Sequence, residues 1–132
     1  MNEKDVRIIF FSRLKPQLVV QLYVKNKPVL VLGTAASSFH VDILRKFLKM
    51  SGLEYLTQKA ILTQKSIKSD RDIPLLTGKE YRVVGMGYAF LDFDKKEYRG
   101  MGEMKNDYGK STDKHHRKLV EATLERDGWT CL

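Results

Sequence analysis

Leu18-Val19-Val20-Gln21-Leu22-Tyr23-Val24 and Pro28-Val29-Leu30-Val31-Leu32 are two apolar runs parted by the turn Lys25-Asn26-Lys27-Pro28, and Ser37-Ser38-Phe39-His40-Val41-Asp42-Ile43-Leu44 follows them. The two runs read as the strands of a β-hairpin. The period then changes. Ile43, Leu44, Phe47 and Leu48 recur at helical spacing, which predicts a helix running to about Met50, with Ser51-Gly52 as its stop signal. Ser37 and Ser38 are N-cap candidates, so His40 falls in the first helical turn. Backbone N–H groups lack intrahelical partners there, and the helix dipole presents its positive end. Such a place favours a bound anion and disfavours imidazolium. A neutral imidazole beside an anion can serve as nucleophile or base towards a phosphoryl group. The competing reading is a helix-start histidine with no chemical role.

Upstream, Val6 to Phe11 reads as a short strand, interrupted at Lys15-Pro16. Downstream, Leu53 to about Ile67 has a mixed period and reads as one or more strands. Ser69-Asp70-Arg71-Asp72 and Thr77-Gly78-Lys79 flank a short insertion holding Pro74. Tyr81 to Phe93 is the clearest long strand. Asp94 to Lys110 is polar and glycine-bearing and reads as a long surface loop, of the kind that is often functional. Ser111-Thr112-Asp113 caps a second helix with Leu119, Val120, Thr123 and Leu124 on one face. Gly128 ends it, and Trp129 to Leu132 is a terminal strand candidate. The expected architecture is an α+β domain spanning residues 1–132, with a mixed or antiparallel sheet of about five to six strands and two helices.

The chain has 132 residues, 24 of them basic against 16 acidic, for a net charge of +8. That balance suits anionic partners, whether nucleic acid, a phosphorylated protein, a phosphate ester or an acidic membrane surface, without choosing among them. The single cysteine, Cys131, excludes an internal disulfide and a Cys-rich zinc site. The opening Met1-Asn2-Glu3-Lys4-Asp5 lacks the apolar stretch of a signal peptide, and no run approaches a membrane span. The expectation is a soluble cytoplasmic protein with no membrane partner.

Several motifs fail. Gly109-Lys110-Ser111-Thr112 resembles the end of a P-loop, but Met104 stands where the loop needs its first glycine. Gly85-Met86-Gly87 and Gly100-Met101-Gly102 open a dinucleotide fingerprint that Phe90 and Lys105 then break. His115 and His116 are adjacent on a helix, about 100° apart, which is wrong for two ligands of one metal. They read as a solvated basic helix start. Nothing calls for a metal or another cofactor. Arg117-Lys118-Leu119-Val120-Glu121 with Arg126-Asp127-Gly128-Trp129-Thr130-Cys131 is similar, over residues 117–131, to the opening of an HNH nuclease domain, whose metal-binding elements have no counterpart here.

Phe39-His40-Val41-Asp42-Ile43 resembles the Y-H-A-D-I segment of the janus family, the eukaryotic phosphohistidine phosphatases. Val84-Gly85-Met86-Gly87-Tyr88-Ala89-Phe90 is similar to that family's Y-G-Y-S-M-A-Y. In the family, two strands precede the histidine segment and a helix follows it, the order read here. The resemblance spans roughly residues 17–132, with two short specific segments. It implies that His40 is the catalytic histidine and that backbone N–H groups of Gly87, Tyr88 and Ala89 hold the phosphate oxygens. Leu18 and Leu32 stand where the family has a lysine and an arginine, and Lys15 lies three residues before the first of these places. Lys65, Lys68 or Arg71 is a candidate for a third family cation. Losing two cations would weaken an anion site, because charge-assisted hydrogen bonds are the strong ones. The resemblance thus implies a metal-independent phosphohistidine or phosphoramidate phosphatase. The alternative is a non-enzymatic basic module for nucleic acid or an acidic protein.

Overall fold

The computed structural model describes residues 5–13, 15–34, 39–59 and 72–132. Six strands form one mixed sheet: β1 (Arg7–Phe10), β2 (Gln17–Val24), β3 (Lys27–Thr34), β6 (Tyr81–Asp92), β7 (Glu97–Gly102) and β8 (Thr130–Cys131). Their spatial order is β1-β3-β2-β6-β7-β8, parallel at both edges and antiparallel within. The short strands β4 (Thr57–Lys59) and β5 (Asp72–Pro74) pair separately. Helices α1 (His40–Met50) and α2 (Lys114–Arg126) complete an α+β fold.

The first hairpin turns on Lys25 and Asn26, both at positive φ, the geometry of a tight two-residue turn matched to strand twist. Successive side chains on a strand face opposite ways, so β2 and β3 feed two cores. Leu18, Val20, Leu22, Val29 and Val31 meet Val41, Ile43, Leu44, Phe47 and Leu48 of α1. Val19, Leu30 and Leu32 meet Val120 and Leu124 of α2 on the opposite face. The helices therefore cover opposite faces of one sheet. Burial on both faces explains why β2 and β3 read as nearly continuous apolar runs.

Both helices stop on glycine. Gly52 and Gly128 have positive φ, and the following N–H groups of Leu53 and Trp129 return to the carbonyls of Leu48 and Leu124. The start of α1 differs from expectation. Ser37 and Ser38 lie outside the described residues. Phe39 occupies the N-cap, and the Asp42 carboxylate accepts its backbone N–H at 2.9 Å. Asp113 caps α2, accepting the His116 N–H at 2.8 Å.

The segment expected as one loop, Asp94 to Lys110, contains β7. Its Glu97, Tyr98 and Arg99 pair with Asp92, Leu91 and Phe90. Only Tyr98 and Met101 of this strand are buried, too few apolar side chains to reveal it as a strand. Of the segment from Leu53 to Ile67, the described part holds only Thr57–Lys59 as a strand.

Candidate active site

His40 opens α1 and is buried, 4% exposed. Its Nε2 lies 2.8 Å from the backbone carbonyl oxygen of Gly87 on β6. A carbonyl only accepts, so Nε2 carries the hydrogen, and the lone pair of the neutral ring sits on Nδ1. Burial lowers the pKa of this imidazole, while the Gly87 carbonyl and the Asp107 carboxylate pull it upward. Burial dominates, so the ring is neutral at pH 7.

Asp107 belongs to the segment 103–113, which joins β7 to α2. Asn106 organises it. Its amide donates to the Met104 and Lys110 carbonyls, and its side-chain oxygen accepts from the N–H groups of Tyr108 and Lys110. Tyr108 inserts its ring into the α1-side core and donates its hydroxyl to the Pro74 carbonyl. Asp107 is thus held between two anchored neighbours.

The same segment then crosses to the other face of β6. The Met86 N–H donates to the Ser111 carbonyl at 3.2 Å. A side chain at Gly85 would collide with Gln21 Oε1 and the Asp113 backbone nitrogen. One at Gly87 would collide with the Gly102 carbonyl and the Thr112 methyl. Gly85-Met86-Gly87 therefore has a packing role: its glycines let the start of α2 approach the sheet.

Gly87, Tyr88 and Ala89 pair with Val19, Leu18 and Gln17 of β2, and Tyr88 also pairs with Gly102 of β7. The Gly87 group that faces the histidine is the carbonyl. Lys15 forms an ion pair with Asp92 at 3.0 Å, and Asp92 lies five positions along β6 from Gly87. At a strand's rise that is about 16 Å, so the structure does not bring Lys15 to His40. Lys65, Lys68 and Arg71 lie outside the described residues. Comparison with family models, with curated proteins and with solved structures finds no match. The likeness to the janus family rests on the residues quoted for it.

Three polar residues matter here beyond those that the sequence pattern singles out. Gln21, fully buried, accepts the Asp113 N–H at 2.7 Å and donates to the Asp113 carbonyl at 3.1 Å. Asp107 lies in the segment that reads from sequence as a loop. His116, which its sequence position marks as solvated, is fully buried. Its Nε2 lies 3.2 Å from the Leu22 carbonyl and 3.0 Å from that of Val29, and the ring meets Tyr23 edge to face at 5.4 Å. The signal for Gln21 was present: a polar residue at the centre of an apolar run. Gln21 and His116 tie α2 to the sheet, while Asp107 bears electrostatically on the His40 ring. With Nε2 fixed, its Nδ1 can accept a proton or attack an electrophile.

Proposed function

We propose that the protein is a phosphohistidine or phosphoramidate phosphatase with His40 as its reacting group. The observation that supports this reading best is the buried Nε2–H to Gly87 carbonyl bond, which fixes the tautomer and leaves Nδ1 with the lone pair. In the proposed reaction Nδ1 attacks phosphorus. The substrate N–P bond breaks, and the departing nitrogen takes a proton from solvent. Water then attacks phosphorus; its hydroxyl joins the phosphate, its second proton goes to solvent, and the N–P bond pair returns to Nδ1, restoring the neutral ring. Asp107 offsets the positive charge that the ring gains in the intermediate. The phosphoryl group would sit beside the segment Gly87 to Ala89, which the janus-like pattern assigns to oxygen binding.

His40→Ala should abolish phosphohistidine hydrolysis while the amide NMR spectrum stays that of the folded protein. A chelator should leave the wild-type rate unchanged. A His40→Ala rate within about twofold of wild type would remove His40 from the mechanism.

A further inference from the structure

We propose that Tyr88 and Phe90 form an aromatic wall that selects ligands carrying a planar ring on the phosphoryl group. This rests on the placement of the phosphoryl site at His40. Gly85 and Gly87 face the α2 side, while Met86 belongs to the core under α1. Alternation along the strand puts Tyr88 and Phe90 on the α1 side, the side from which His40 reaches the Gly87 carbonyl. Tyr88 is the next residue along the strand. Its ring packs edge to face on Phe90, with centroids 5.8 Å apart.

Tyr88 is half-buried and Phe90 is 36% exposed. Phe39, immediately before the histidine, is 66% exposed. A partly exposed edge-to-face pair that begins one residue beyond Gly87 offers a π surface to a flat substituent. An alkyl substituent would gain only burial there. The wall acts on the organic part of the ligand, whereas the anion is held nearer His40. Tyr88 and Phe90 are therefore specificity-determining residues, and the ligand class is an aryl or heteroaryl phosphoryl compound.

Phenylphosphonate and methylphosphonate separate the two contributions. Titration of each into the full chain, followed by the His40 ring signals in NMR, gives two affinities and their ratio. Wild type should favour phenylphosphonate on the order of fivefold. In Phe90→Ala the ratio should fall towards one, and Phe90→Tyr should restore it. Equal affinities in wild type, or a ratio unchanged in Phe90→Ala, would overturn the aromatic wall alone. No response of His40 to either phosphonate would overturn both the wall and the phosphoryl site. Amide spectra of the variants show whether the fold is retained.

Discussion

Gln21 is the polar side chain with the clearest structural consequence. One amide group satisfies both the N–H and the carbonyl of Asp113, the residue that caps α2. A lone buried amide would oppose folding, but a doubly bonded one stabilises it. Gln21→Ala should cost about 2–3 kcal/mol, because it strands a backbone N–H as well as losing the clamp. Urea unfolding measures this as a lower midpoint at constant slope. An unchanged midpoint would show that water replaces the amide. Gly85 belongs to the same arrangement, since any side chain there would push on the clamp from the opposing strand.

Among the elements, α2 carries a pH-sensitive group in His116. Burial lowers the pKa of this ring. The Leu22 and Val29 carbonyls and Asp113 oppose the shift, and neighbouring His115 adds to it. From β2 the facing group is Tyr23, with the Arg82 guanidinium from β6 over its ring at 4.8 Å. The ring's Nδ1 is buried without a hydrogen-bond partner among the described residues. Protonation would put a second N–H where no acceptor stands. In the unfolded chain the histidine titrates near its ordinary value of about 6.5, above the folded value. As pH falls below about 6.5 the unfolded state binds the proton first, so stability is lost, by up to about 1.4 kcal/mol per pH unit. The loss levels off below the folded pKa. His40 is shifted in the same direction and adds a like contribution. His116→Gln keeps a donor for the strand carbonyls and has no proton to take up. It should flatten the fall in denaturant midpoint between pH 6.5 and 5. An unaltered pH profile would show that α2 is not the acid-sensitive element.

At the scale of the whole molecule the governing quantity is the net charge of +8. The charge on α2 is not uniform. Lys114, His115 and Lys118 are exposed, while Arg117 is tied to Glu121 at 3.4 Å. A nucleic-acid role for this surface makes a sharp prediction. Affinity for duplex DNA should fall with salt at a log–log slope of about −0.9 per phosphate neutralised. Replacing Lys114 and Lys118 together by Gln should reduce that slope by about 1.8. Filter binding across a salt series measures both slopes, and no binding at about 50 mM salt would remove this role. No helix among the described residues is long and apolar enough to cross a membrane.

Local pattern determined what local physics controls. The hairpin from Leu18 to Leu32, the helix beyond His40, the glycine stops and the Asp113 cap are set by neighbours a few residues apart, and they could be read from the chain. So could the α+β class, which follows from two helical periods among alternating strands. Tertiary structure decided whatever depends on a distant partner. β7 has few buried apolar residues and is a strand because β6 pairs with it. His116 is buried because the β2 and β3 carbonyls, some ninety positions earlier, accept its N–H. Gly85-Met86-Gly87 serves packing because the start of α2 lies over it. Helix position made His40 a candidate. Its tautomer was fixed only when folding brought Gly87 to Nε2, a hydrogen bond across 47 positions of chain that no local pattern encodes.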